Sequence, residues 1–243
     1  MEPATHLEIL CERAGALVDS AGGAVDVPVP TCPEWTLADL LVHMGLVWGW
    51  AAETVTTKVR ADLGQAPESR TARALRTWAK GQAERLVDVL GATDPDANCW
   101  TFGTPRSVRF WFRRQALETV LHAWDAEGAT GTPSRIDPEV AVDGIDEHLS
   151  VILPRVVRRR PDGWSGQSVH LHCTDAGGEW VVRLGPDGEV ATRRTHAKAD
   201  TALRGPAEAL WLWCANRATP EELAIERLGD DEIPERWRTQ TAF

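Results

Sequence analysis

Glu118 and His122 stand four residues apart in ALETVLHAWD, a spacing that puts both side chains on one helical face, a turn apart. His43 belongs to a different stretch, TLADLLVHMGLVWGWAAETV. It follows Leu40 by three residues and precedes Val47 by four, inside the apolar stripe rather than on the polar side. A carboxylate beside a bundle core is costly unless it is paired or bound to a metal. Two imidazoles and one carboxylate drawn from facing helices are the donors of a facial two-His-one-carboxylate metal site. Three protein ligands leave positions open for water or substrate, the mark of a catalytic site. The spacing equally allows a surface Glu–His pair and an unrelated core histidine. Arg114 lies one turn before Glu118. Asp125, three residues after His122, is either the acceptor of a liganding histidine's second N–H or a solvated carboxylate at the helix end.

The other histidines and the cysteines carry less. His170 and His172 share one face of an alternating strand, but no carboxylate or thiol stands at ligand spacing beside them, so they read as structural. His6, His148 and His196 lie among charged and turn residues and read as exposed. The 5 cysteines are an odd number with no C-x-x-C pair, which suits buried thiols in a reducing compartment. Cys32 precedes His43 by three helical turns' worth of chain, which predicts its sulfur at the far end of that helix.

Helical periodicity supplies the elements that must hold these groups. Apolar positions recur at helical spacing over residues 6–20, from Thr36 through TLADLLVHMGLVWGWAAETV, over 68–90, over 107–127 and over 138–157. Thr36 reads as an N-cap with Asp39 in the first turn. Residues 25–33 are proline-rich and extended. After Pro161-Asp162-Gly163 the period drops to two: SVHLHCTD, EWVVRLG and EVATRR are separated by Gly177-Gly178 and Pro186-Asp187-Gly188, the signals of a small antiparallel sheet. ADTALRG adds a strand, PAEALWLWCANR a helix, LAIERLGD a last strand and PERWRTQ a terminal helix. The expected architecture is therefore an all-α bundle over 1–160 and a compact α+β domain over 161–243.

Charge narrows the partners. The chain has 26 basic and 36 acidic side chains, a net charge of −10, which opposes a grip on nucleic acid. Its 43% hydrophobic and 26% charged composition is that of a folded protein. The longest uncharged apolar window, Leu40 to Ala52, is too short for a membrane span. The start, MEPATHLEILCERAG, has neither the basic nor the apolar region of an export signal, so a cytoplasmic location is expected.

PTCPEWTLADLLVHMG is similar to the C-P-x-W-[ST]-x-x-D-[LV]-x-x-H opening of the actinobacterial maleylpyruvate isomerase family, and ALETVLHAWD resembles its E-x-x-x-H-x-W-D motif. The resemblance covers nearly the whole chain. It implies a DinB-like four-helix bundle followed by a domain resembling sterol carrier protein. It further implies a divalent metal, Zn²⁺ foremost, on His43, Glu118 and His122, with mycothiol as thiol cosubstrate and a small electrophile bearing a carboxylate as substrate. GPAEALWLWCANR resembles the family's G-x-x-x-x-L-x-x-W-x-x-x-R helix, which nominates Arg217 as the cation for that carboxylate. Here the chain departs from the pattern, because Cys214-Ala215-Asn216 replaces a small glycine-containing run. Arg193, Arg194 and Arg204 are rivals, and an arginine binding its own helix-end carbonyls is the plain alternative. The other functional class is a non-catalytic metal-binding protein whose second domain, with Trp164, Trp180, Trp211 and Trp213, takes an apolar ligand or simply packs as core.

Overall fold

Helices α1 (Pro3–Ser20), α2 (Leu37–Thr57), α3 (Ala72–Gly91) and α4 (Val108–Thr130) carry the first part of the chain in the computed structural model, which describes residues 1–160 and 163–241. Helix α1 packs along α4 and α2 along α3, with α2 also against α4 and α1 against α3. The start of α2 is closed by a reciprocal cap: the Thr36 hydroxyl accepts from the Asp39 N–H, and the Asp39 carboxylate accepts from the Thr36 N–H at 2.9 Å. Those Thr36 bonds, backbone first, hold the Asp39 carboxyl below its ordinary value. A lowered carboxyl pKa means that the cap's contribution is present above the unfolded pKa and is lost as the pH falls through the folded one.

The extended segment before α2 forms a short, irregular antiparallel hairpin of β1 (Pro28–Val29) and β2 (Cys32–Thr36). Carbonyls of Val25 and Val27 accept the Ala38 and Leu37 N–H groups, so first-turn donors of α2 find partners in the chain that leads into it. Helix α3 begins at Ala72 rather than near Glu68, because Thr71 takes the cap position and accepts from Ala74 N–H. Helix α4 departs most from its expected form. It was expected to bury one stripe, yet Arg114, Gln115, Thr119, His122 and Asp125 are buried along with its apolar residues. It is the enclosed helix of the bundle.

The chain divides into units of Met1–Ser134 and Arg135–Phe243, not near residue 160. The Pro161-Asp162 turn read as the boundary lies outside the described residues. Helix α5 (Pro138–Glu147) runs through a π-helical turn, His148–Ile152, into α6 (Leu153–Val157), but it packs against α7 (Ala207–Cys214) in the second unit instead of joining the bundle. Gly144 is the reason the two helices approach so closely: a Cβ there would lie 2.2 Å from the Trp211 ring. Periodicity shows that a helix has an apolar face, but not what covers it.

The sheet of the second unit has the order β5-β4-β3-β6-β7, from β3 (Gln167–Cys173), β4 (Glu179–Leu184), β5 (Val190–Arg193), β6 (Thr201–Gly205) and β7 (Glu226–Gly229), and α8 (Glu232–Gln240) follows it. The β3-β4-β5 meander is antiparallel, as the turn signals predict. Strand β6 joins the other side of β3 and runs parallel to it. The connection over residues 194–200 therefore has to pass β4 and β3. Trp164, Trp180, Trp211 and Trp213 are all at most 3% exposed, as core residues are, and Trp213 also borders a cavity with Asn216, Pro220 and Pro234. His6 and His148, expected at the surface, are buried. His6 shares a face of α1 with Leu10, and the His148 ring stacks on Trp237 at 6.5 Å. Among the described residues no helix is long and apolar enough to cross a membrane.

Two glycine substitutions separate helix propensity from packing. Gly81→Ala in α3 meets nothing within 4 Å and should stabilise the protein by up to about 1 kcal/mol. Gly144→Ala gains the same propensity but drives a methyl into the fully buried Trp211, and should destabilise by about 1–3 kcal/mol. Urea unfolding of both variants against wild type measures the opposite signs.

Candidate metal centre

The two sequence motifs meet. His43 on α2 and Glu118 and His122 on α4 present ligand atoms that all lie within 4.8 Å of one another. His43 Nε2 and His122 Nε2 each stand 3.6 Å from Glu118 Oε1. Two donors bound to one tetrahedral ion at about 2.1 Å would lie about 3.4 Å apart, so the set fits a single divalent cation with little movement. The side chains of His122, Glu118 and His43 are 10%, 22% and 32% exposed, so the cluster opens from the interior of the bundle toward solvent. A buried bond from Trp48 Nε1 to Thr119 Oγ1, 2.9 Å, ties α2 to α4 beside the cluster.

Surrounding groups fix each donor. Asp125, whose side chain is 0% exposed, holds His122 Nδ1 at 2.9 Å, which excludes the solvated reading of that carboxylate. An ionised carboxylate only accepts, so Nδ1 carries the hydrogen and Nε2 is left facing Glu118. Thr31 donates to the other Asp125 oxygen at 2.6 Å. Arg114 pairs with Glu118 Oε2, leaving Oε1 to the histidines. The Trp35 ring packs against His43 with centroids 4.9 Å apart and lies 6.4 Å from His122, and the two imidazoles are 5.0 Å apart. Three Lewis-basic atoms drawn together this way repel one another unless protons or one cation stand between them.

Sequence reasoning missed Thr31 and Trp35 as parts of this site. Both lie in TCPEW, and the tertiary fold brings that segment to the histidines. Cys32 lies between them in the strand that leads into the start of α2, and its neighbours Thr31 and Trp35 contact Asp125 and the histidines. None of the cysteines is in a disulfide; Cys99, Cys173 and Cys214 are buried, Cys32 is half-buried and Cys11 is exposed. Burial pushes the Cys173 thiol up to about 12 and raises those of Cys99 and Cys214 as well, which makes them poor nucleophiles.

The candidate arginines lie in the second unit. Arg217 follows α7, and its guanidinium donates to the Ala215 carbonyl at 2.8 Å, the bond expected of a helix-end arginine. Arg204 pairs with Glu226 at 3.1 Å, and Arg194 pairs with Asp146 at 3.2 Å while covering the Trp180 ring. His170 and His172 do have a carboxylate beside them, contrary to expectation: the β3-β4 register sets Glu179 directly opposite His172.

Residues 7–127 match the family model described as the mycothiol maleylpyruvate isomerase N-terminal domain, and residues 139–236 match the model of the corresponding C-terminal domain. Among solved structures, the chain is similar to a mycothiol-dependent maleylpyruvate isomerase, at a TM-score of 0.60 and 12% identity over 90% of each chain. A histidine-to-alanine mutant of a mycothiol-dependent maleylpyruvate isomerase gives a TM-score of 0.59 at the same identity and coverage. Among curated proteins, the uncharacterized protein Rv0738 of Mycobacterium tuberculosis (strain ATCC 25618 / H37Rv) is 27% identical over 146 residues, 58% of this chain and 72% of its own length.

The buried His122–Asp125–Thr31 chain can be tested on stability alone. Asp125→Ala leaves a buried ring N–H and a hydroxyl without their acceptor and should cost about 1–3 kcal/mol in denaturant unfolding. Asp125→Asn keeps one oxygen and should cost less. Equal stability of Asp125→Ala and wild type would mean that this bond does not hold the imidazole.

Proposed function

Because this chain belongs to the mycothiol maleylpyruvate isomerase family, we propose that it is a divalent-metal- and mycothiol-dependent enzyme acting on a small, carboxylate-bearing electrophile. The reaction is cis–trans isomerisation of maleylpyruvate to fumarylpyruvate, or thiol transfer to a related electrophile. The observation that carries this reading is the convergence of His43, Glu118 and His122 on one point within 4.8 Å, in a cluster open to solvent. A bound divalent ion, Zn²⁺ by the softness of its imidazole donors, would supply the positive charge that keeps a thiol sulfur deprotonated at neutral pH.

The chain's own residues prepare that charge and its surroundings. Asp125 fixes the His122 tautomer, Arg114 holds one Glu118 oxygen, and the Trp35 ring shields the imidazoles from water on one side. In the isomerisation, the mycothiol sulfur forms a C–S bond to one alkene carbon of the cis double bond. The electron pair of that double bond passes into the conjugated carbonyl as an enolate. The former double bond, now single, rotates; collapse of the enolate expels the same thiolate and leaves the trans alkene. The thiol is required and is recovered. Five cysteines without a disulfide among them support a reducing, cytoplasmic setting.

The test assays Zn²⁺-loaded protein with maleylpyruvate, with and without mycothiol. Wild type and Cys32→Ser should turn over only with the thiol. Glu118→Ala should bind metal at this site more than about 100-fold more weakly, beyond the range of changes outside the ligand set, and lose activity with it. Turnover by thiol-free wild type that Cys32→Ser abolishes would make this a cysteine enzyme instead. Adduct formation with another electrophile, and no isomerisation, would select the transferase reading.

Arg217 is proposed as the cation for the substrate carboxylate, through the bidentate fork that only a guanidinium offers. Arg217→Ala should keep its metal and raise KM with little change in kcat, as loss of uniform binding does. Kinetics equal to wild type would remove Arg217 from the reaction and pass the role to Arg204 or Arg193.

A further inference from the structure

The densest cluster of metal-ligating side chains outside the bundle lies on the sheet of the second unit. His170 and His172 project from β3 on the face opposite Leu171, Glu179 comes from β4, and His196 comes from the connection that leads to β6. His170 Nε2 and His172 Nδ1 each lie 2.9 Å from Glu179 Oε1, and His196 Nδ1 lies 2.5 Å from the same atom. The four ligand atoms fall within 4.8 Å of one another. Their environment is graded: the His170 side chain is 11% exposed and His196 80%.

Three imidazoles on one oxygen exceed what that oxygen can accept well, since a carboxylate oxygen offers two lone pairs. His172 and then His196 hold the Glu179 carboxyl down to about 2, so it is anionic at neutral pH. A cation placed among the four atoms would engage every one of them. Tetrahedral donors stand about 3.4 Å apart, so Glu179 would draw back by about 0.5–1 Å, and partial exposure leaves it room to do so. Imidazole nitrogen with one carboxylate selects Zn²⁺ and its late first-row neighbours over Mg²⁺ or Ca²⁺, which want oxygen.

We propose that His170, His172, Glu179 and His196 form a second divalent-metal site of the zinc type, separate from the bundle triad. Four protein donors fill a tetrahedral shell, so this site is structural rather than catalytic. Its role is to pin residues 194–200 to the sheet. The connection runs past two strands and is held near its ends by the Arg194–Asp146 pair and the Asp200–Ser168 bonds, and the site would fasten its middle.

The experiment counts Zn²⁺ retained through gel filtration by wild type, Glu118→Ala, the double variant His172→Ala/His196→Ala, and the triple combination. The expected counts are two, one, one and none per chain. Single His196→Ala, in an exposed connection where folding is not at stake, should weaken the second ion more than about 100-fold. Trypsin cleavage after Arg193, Arg194 and Lys198 should slow on adding Zn²⁺ to wild type and not to the double variant. If wild type and the double variant retain the same amount of Zn²⁺, the proposal is wrong. If instead Glu118→Ala changes nothing while the double variant loses an ion, the bundle site fails and this one stands.

Discussion

A helical bundle that carries ionised side chains on its most enclosed helix must answer each one locally, and the arrangement of the first unit follows from that constraint. Helix α4 takes Arg114, His122 and Asp125 through the interior, with Glu118 half-buried among them. Each finds a specific partner: Arg114 takes one Glu118 oxygen, Asp125 takes the His122 ring N–H, and Thr31 takes the remaining Asp125 oxygen. Left unmatched, any of these groups would cost several kcal/mol in a low-dielectric interior. One Glu118 oxygen and the two imidazoles of His43 and His122 then face one another within 4.8 Å.

Meeting those demands draws in chain that is remote in sequence. The proline-rich segment before α2, residues 25–36, serves three purposes at once. Its carbonyls accept first-turn N–H groups of α2, Thr31 reaches Asp125, and Trp35 lies against both histidines. The Thr36–Asp39 cap fixes where α2 begins, and so fixes the position of His43 two turns later. The Trp48–Thr119 bond then sets the register of α2 against α4. Ligand placement thus depends on a cap, a hairpin and one buried hydrogen bond, rather than on the ligands themselves.

The second unit solves a different problem. Its sheet packs one face under helices, with Trp180 donating to Asp146 at 2.7 Å and Trp211 lying against Gly144. The opposite face of β3 carries His170, which is buried, and the more exposed His172. Inserting β6 parallel to β3 forces the 194–200 connection past the meander, and that route brings His196 to Glu179.

The residue pattern alone determined the bundle helices, the cap at Thr36, the change of period after residue 160 and the meander turns, because each rests on interactions within a few residues. It also marked His43, Glu118, His122 and Asp125, since helical spacing is legible locally. Tertiary structure decided the rest. Helix α5 carries an apolar face that would suit either partner, and only the glycine gap at Gly144 facing Trp211 shows that it belongs with α7. Asp125 read equally well as solvated or as a histidine's acceptor until the enclosure of α4 removed the first choice. Glu179 stands seven residues after His172 in a chain where strand neighbours are two apart. It faces that histidine only because a hairpin register brings the strands together, and such pairing depends on contacts that no local period encodes.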